Sequence, residues 1–381
     1  MQSQPFVYGR SVKGEYFTDR EEESRWLSAN FQNSVNTILI SPRRIGKTSL
    51  VEKVCNQFKD NPDIKIVLMD IFKCRNEEDF LSYFSQSILS QTSSKVEEWI
   101  QSAKTFLSRL SPKINISPDP ASNLSLGFDI SPKVEFAEDI LELPQKIANQ
   151  KKCRLIICID EFQQIGEFRD SLSFQKLLRT YWQHQDNVTY CLFGSKKHMM
   201  NELFEKSSNP FYKFGDVINL KKIPKEFWIK FIIKRFSDTG KSISETTAEE
   251  ICRLTENYSC YVQQLSDILW NNYDENNQIH SLNRAFEFLL DRCGVLFEQQ
   301  TINLTTYQMN FLKALIDQEG RDIFTMETIR KYSLSSTSNV ERIKSSLLKK
   351  ELIDIENRKY IIPDPILKEW LKRLFYDTLT L

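Results

Sequence analysis

Val35-Asn36-Thr37-Ile38-Leu39-Ile40-Ser41-Pro42-Arg43-Arg44-Ile45-Gly46-Lys47-Thr48-Ser49-Leu50-Val51 holds a strand, a loop and the start of a helix in one short run. Residues 35–40 are apolar and of strand length. A helical pattern follows through Leu50, Val51, Val54 and Phe58. Between them, Ser41 to Thr48 matches the phosphate-binding pattern G-x-x-x-x-G-K-[ST], with Ser41 in place of the first glycine. Such a loop turns its backbone N–H groups inward, and the helix N-terminus adds positive potential, so phosphates bind there. Gly46 lets the backbone approach a ligand closely. Lys47 neutralises the β and γ phosphates, and the Thr48 hydroxyl ligates Mg²⁺. Pro42, Arg43, Arg44, Ile45 and Ser49 complete the ATP-binding loop. The alternative is a chance Gly-Lys-Thr at an ordinary helix start, and the flanking strand and helix argue against it.

Working outward, residues 64–69 form a second strand ending at Asp70, and a long helical region covers roughly 77–110. Leu155-Ile156-Ile157-Cys158-Ile159-Asp160-Glu161 is a buried strand ending in two carboxylates, at the strand end where α/β sheets place ligands. Asp160 would hold Mg²⁺ through water or Thr48, and Glu161 would polarise the attacking water as general base. A strand ending in Asp-Glu is common, but here it lies 113 residues after Lys47 in the same pattern of elements. Residues 188–193 make another strand. Ser195, just after it, is a candidate polar sensor of the γ-phosphate, or a plain turn residue. Residues 217–220 supply one more strand. Short apolar strands alternating with helices indicate a parallel sheet covered on both faces.

Residues 113–130 alternate apolar and polar with turn residues between, which predicts a β-hairpin inserted over about 111–134, ahead of a helix at 138–150. It reads as a partner-binding arm or as a flexible surface insertion. From Pro224 the strands stop and residues 225–295 are helical in pattern. The tail has helices at 306–317, at 325–332 and from Ser338, then two short strands around residues 356–359, the layout of a winged helix. Its third helix and wing carry Arg342, Lys344, Lys349, Lys350, Arg358 and Lys359. Residues 305–374 hold thirteen basic against ten acidic side chains, so a DNA reader and a solvated or protein-binding face both remain open.

Lys plus Arg and Asp plus Glu are both 51, so the balanced whole does not advertise nucleic-acid binding. The eight cysteines include no C-x-x-C pair and there are three histidines, which leaves no zinc spacing and points to a reducing, cytoplasmic setting. No basic, apolar leader opens the sequence. No apolar run nears the roughly 20 residues that span a bilayer, so no membrane role is expected.

In their order these motifs resemble the archaeal-type AAA-family ATPases of the STAND/AAA+ P-loop NTPase class. The matching residues are Tyr16-Phe17-Thr18-Asp19-Arg20-Glu21-Glu22, Ser41 to Thr48, Ile159-Asp160-Glu161-Phe162-Gln163, Phe193-Gly194-Ser195 and Tyr261-Val262-Gln263-Gln264. The resemblance spans about residues 5–270 and implies an α/β P-loop NTPase core over 1–222, a helical lid over 223–297 and a winged-helix domain over 298–381. It also implies that Arg20 and its neighbours line the adenine side. Two departures stand out. Ser259-Cys260 replaces the proline usual in the lid, and Tyr212-Lys213 lies where many relatives carry an arginine. Lys213 offers a point charge rather than a fork, and Arg179 is another basic candidate or a packing residue. Slow hydrolysis is the expectation.

Three readings follow. The first is an ATP- and Mg²⁺-dependent switch, working through Lys47, Thr48, Asp160 and Glu161, that controls conformation, self-assembly or a protein partner. The second is an ATP-gated DNA-binding protein acting as loader, transposition helper or regulator. The third is a module that holds nucleotide structurally.

Overall fold

The computed structural model describes residues 4–110, 112–116, 124–128, 136–356 and 359–376. The chain divides into two compact units, Arg20–Lys221 and Met1–Asp19 joined with Lys222–Leu381.

The first unit contains α1 (Glu21–Gln32), β1 (Thr37–Ile40), α2 (Lys47–Gln57), β2 (Ile64–Asp70), α3 (Glu77–Thr92), α4 (Val96–Phe106), β3 (Pro112–Ile116) and β4 (Leu124–Phe128). It continues with α5 (Ala137–Lys151), β5 (Arg154–Asp160), α6 (Ser171–Trp182), β6 (Val188–Gly194), α7 (Lys197–Glu205) and β7 (Asp216–Asn219). Five strands form one sheet in the order β2-β5-β6-β1-β7, and every pairing in it is parallel. The central strands β1, β5 and β6 are buried almost throughout, which is why their sequences are unbroken apolar runs rather than alternations. β2 lies at an edge and is half exposed, with Leu68 at 37%.

An aromatic cluster fills one face of the sheet. Trp182 stacks on Tyr190 with centroids 4.2 Å apart, Phe84 stacks on Trp182, and Phe162 meets Phe211 edge-on at 5.4 Å. Pairs of this kind add about 0.5–1.5 kcal/mol each beyond the area they bury. Here they also anchor the turn that follows β5, because Phe162 is wholly buried.

The helical stretch expected over 77–110 is two helices. Ser93 is extended, and Ser94 donates from both its backbone nitrogen and its hydroxyl to Glu98, which starts α4 afresh. β3 and β4 pair antiparallel, Pro112 opposite Phe128, between α4 and α5. The rest of the hairpin insertion expected over about 111–134, residues 111, 117–123 and 129–134, lies outside the described residues.

The second unit is built from α8 (Lys225–Ser237), α9 (Glu245–Leu254), α10 (Ser259–Asn271), α11 (Gln278–Thr301), α12 (Thr306–Asp317), α13 (Met326–Lys331), α14 (Thr337–Lys349), β8 (Asp354–Glu356), β9 (Lys359–Ile361) and α15 (Pro365–Tyr376). Residues 4–19, grouped with the N-terminal core in the sequence reading, pack here instead. Phe6 is fully buried against the rings of Phe231 and Phe236. Arg235, 3% exposed, donates to the Pro5 carbonyl and lays its guanidinium over Tyr16. Gln263 accepts from the Val7 N–H at 2.9 Å. Gln263, the last residue of the Tyr-Val-Gln motif at 261–263, therefore ties this segment down.

Helices α12–α14 with the β8–β9 hairpin form the winged helix. A capping box of Thr305 and Gln308 opens α12. Gly320, at φ +71°, lies so near the wing that an added Cβ would sit 2.0 Å from the Tyr360 carbonyl oxygen. α15 was not anticipated. Pro365 opens it and Asp364 caps it by accepting from the backbone nitrogens of Ile366 and Leu367. Trp370 of α15 packs on Phe297 and over Gly294 of α11, and the Tyr261 hydroxyl donates to Asp364 at 2.6 Å. The boundary expected at 297/298 therefore falls inside α11.

Candidate active site

The parallel order brings the C-terminal ends of β1, β2, β5 and β6 to one edge of the sheet. Ile40 is level with Gly194, and Asp70 with Asp160. The loop from Ser41 leaves β1 at this edge and enters α2 through Gly46. Arg44 and Gly46 have φ of +65° and +93°, so successive N–H groups can point into one concavity. Nothing crowds the position of a Gly46 Cβ, so its positive φ, not local packing, calls for glycine there. Ser41 and Ile45 are buried, with the Ser41 hydroxyl on the Pro42 carbonyl, while Arg43, Arg44 and Thr48 face solvent. Ser49 is buried in the first turn of α2.

Lys47, 7% exposed, donates to Asp160 Oδ1, and its ammonium lies 3.5 Å from Glu161 Oε1. The Thr48 hydroxyl donates to the other Asp160 oxygen at 2.8 Å. Asp160 Oδ1 also accepts from the Glu161 N–H at 2.8 Å, which holds Glu161 in a left-handed turn at φ +54°. Glu161 Oε2 accepts from Gln163 Nε2 and, at 3.1 Å, from the Ser195 hydroxyl. Arg43 Nε in turn donates to Ser195 at 3.3 Å. Lys47, Thr48, Asp160, Glu161, Ser195 and Arg43 thus form one connected network.

Burial alone would raise the Glu161 carboxyl. The charge of Lys47, hydrogen bonds from Gln163 and Ser195, and the charge of Arg43 outweigh it and hold this group below the usual carboxylate range. Asp70 moves the other way. Burial raises it against a hydrogen bond from the Phe72 N–H, and the charges of Asp160 and Glu161 push it further up. Neighbouring carboxyls are thereby separated, one kept ionised and one drawn toward its neutral form.

Arg20 is 2% exposed. It pairs with Glu23 at 2.8 Å and donates to the Ile45 carbonyl at 3.2 Å, so its guanidinium braces the phosphate loop from within the protein. Arg179 lays its guanidinium 4.9 Å from the Phe214 ring centroid, the geometry of a packing residue, and Lys213 extends over Tyr212. Two residues at this site, Asp70 and Gln163, are not among those the sequence singles out as site residues. Asp70 ends a strand at the same edge as Asp160, a signal that was present. Gln163 offered only its place two residues after Glu161.

A parallel sheet with its phosphate loop, a Lys–Thr–Asp cluster and a carboxylate held ionised beside them define a P-loop ATPase with a C-terminal winged helix. The family model of the ATPase domain predominantly from Archaea matches residues 17–265, and the chain belongs to that family. A model described as "Probable winged helix domain" matches residues 295–373. The Walker-type ATPase PABY2304 of Pyrococcus abyssi superposes with a TM-score of 0.67 at 18% identity, covering 97% of this chain and 99% of that one. The Aeropyrum pernix ORC2 protein in its ADPNP–ADP complexes superposes at 0.58 and 13% identity, covering 100% and 99%. At such identities the likeness is one of fold. The curated proteins contain no match. Among the described residues no helix is long and apolar enough to cross a membrane.

Proposed function

We propose that this ATPase is a switch, in which ATP binding and hydrolysis at the phosphate loop set the conformation, self-assembly or partner binding of the C-terminal unit. The observation that carries this reading is the Lys47–Thr48–Asp160–Glu161 cluster on a chain that also bears a winged helix.

In this reading the loop from Ser41 to Ser49 cradles the phosphates and Lys47 takes their charge. Thr48 and Asp160 would hold Mg²⁺. Their side-chain oxygens lie 2.8 Å apart at the loop, a hard-oxygen pair of the kind Mg²⁺ takes together with phosphate. When bound, the ion neutralises charge on the phosphate oxygens. Glu161 accepts the proton of the attacking water as its oxygen bonds to the γ-phosphorus and ADP leaves. Ser195, tied to both Glu161 and Arg43, senses the γ-phosphate.

A second reading, ATP-gated DNA binding, is favoured by the winged helix, whose α14 exposes Arg342 and Lys349. Charge complementarity there is partial, because Lys344 is paired with Glu341 and directed over the rings of Phe324 and Tyr360.

ATP turnover by the full-length protein, with and without double-stranded DNA, separates the two. A Lys47→Ala variant should lose nucleotide affinity, and Glu161→Gln should keep affinity while losing about 10²–10⁴-fold in kcat. Turnover that rises with DNA favours the second reading. Turnover indifferent to DNA favours a protein-partnered switch. Unchanged nucleotide affinity in Lys47→Ala would end both.

A further inference from the structure

Gln163 is 1% exposed, in a short 3₁₀ turn (Phe162–Glu167) just beyond Glu161. Three features constrain where its amide lies. Glu161 turns the chain through the left-handed region, and its N–H bond to Asp160 secures that turn. Phe162, between the two residues, is buried among Trp182, Phe204 and Phe211. Gly194, at the end of β6, supplies the space. A Cβ there would sit 1.9 Å from Gln163 Oε1 and 2.8 Å from Met200 Sδ, so a side chain at 194 and this amide position exclude each other.

The Gln163 amide is poor core filling. Its Oε1 is buried with no hydrogen-bond partner, which is unfavourable, and only its Nε2 is used, as a donor to Glu161 Oε2. Turning the amide over would set its oxygen against a carboxylate. The arrangement therefore serves Glu161, whose Oε2 takes Gln163 and Ser195 while Oε1 faces Lys47.

We infer that Gln163, seated over Gly194, is a positioning residue for hydrolysis that orients the Glu161 carboxylate through Oε2. The inference rests on the reading of Glu161 as general base. It assigns to Phe193-Gly194-Ser195 a second task beside carrying Ser195, that of making room for the amide that aims the base.

The test uses full-length Gln163→Ala and Gln163→Glu beside Glu161→Gln, with kcat and KM for ATP measured for each. In Gln163→Ala, kcat falls by about 10- to 100-fold, the scale of a misplaced catalytic group, while KM stays within about threefold. Gln163→Glu, nearly isosteric, keeps the packing but replaces the donor with a second carboxyl, so kcat falls at least as far with KM again held, and it carries the test if the alanine variant does not fold. If kcat in either Gln163 variant holds within about twofold while Glu161→Gln is inactive, or if KM rises as far as kcat falls, the positioning role is overturned and the general base is left standing. If Glu161→Gln hydrolyses ATP like the parent, the general-base reading itself fails.

Discussion

Adding a single methyl group at Gly194 should separate nucleotide binding from hydrolysis. The Cβ of Gly194→Ala would lie 1.9 Å from Gln163 Oε1, where contacts under 3.0 Å do not occur, so the amide must move by about 1 Å or more. Met200 also meets the new carbon, at 2.8 Å, but its thioether is flexible and yields. Gln163 is 1% exposed and cannot swing out into solvent, so the displacement is taken up inside the core, at its bond to Glu161 or by β6 itself. Overpacking of this kind costs about 1–3 kcal/mol. For a unit the size of Arg20–Lys221 that lowers Tm by a few degrees, at about 2–4 °C per kcal/mol. With Glu161 as the proposed general base, misplacing it by this much costs kcat about 10²-fold. The phosphate loop is untouched, so ATP affinity is retained. Thermal melts with and without ATP, paired with steady-state turnover, make the measurement. A variant with parental Tm and parental kcat would show that the close approach of Gly194 and Gln163 constrains nothing, and the account of how Glu161 is held would fail with it.

Two further outcomes concern stability. Tyr261→Phe deletes the hydroxyl that donates to Asp364, the residue capping α15, and should destabilise the C-terminal unit by about 1–3 kcal/mol in a denaturant titration; an unchanged midpoint would show that this tie carries no free energy. Glu98, at the start of α4, is pulled from an ordinary 4.5 to about 2, first by its hydrogen bond from Lys151 and then by the Ser94 N–H. A depressed carboxyl contributes stability that is present above its unfolded value and lost as pH falls through its folded one. Glu98→Gln should therefore be less stable than the parent at pH 7, and the gap should close as pH drops from about 4.5 toward 2. A gap that does not change over that range would mean that the Lys151 pair is not formed in solution.

The elements most legible in the sequence are those whose signal is local. Residues 37–40, 154–160 and 188–194 are apolar and bounded by turn residues, and each is a strand of the central sheet. The winged-helix helices open at Thr305, Thr325 and Ser336, side chains that accept from the backbone three residues on, and such caps are readable one at a time. Legibility fails where a residue's partner is distant. The break between α3 and α4 turns on Ser94 meeting Glu98 after an extended Ser93, inside a stretch whose pattern reads as a long helical region without marking where it divides. The segment ahead of α1 continues into the ATPase core along the chain, yet Phe6 finds its apolar pocket more than 200 residues later, between Phe231 and Phe236. Arg20 pairs with Glu23 nearby in the chain but also donates to the Ile45 carbonyl, 25 residues on, a contact that no local pattern announces.

The sequence by itself determined that a phosphate loop lies between a strand and a helix, that the sheet is parallel and covered on both faces, and that a winged helix follows the helical region. These follow from backbone chemistry and apolar periodicity, which are properties of neighbouring residues. Only the tertiary structure decided how the carboxylates differ. Asp70 and Glu161 are both carboxylates at the end of a parallel strand. Their surroundings part them, because Glu161 gathers Lys47, Gln163, Ser195 and Arg43 from three separate strand ends, while Asp70 has burial and two like charges beside it. A carboxylate's ionisation is set by what lies within a few ångströms of it, and in a parallel sheet those neighbours come from distant parts of the chain.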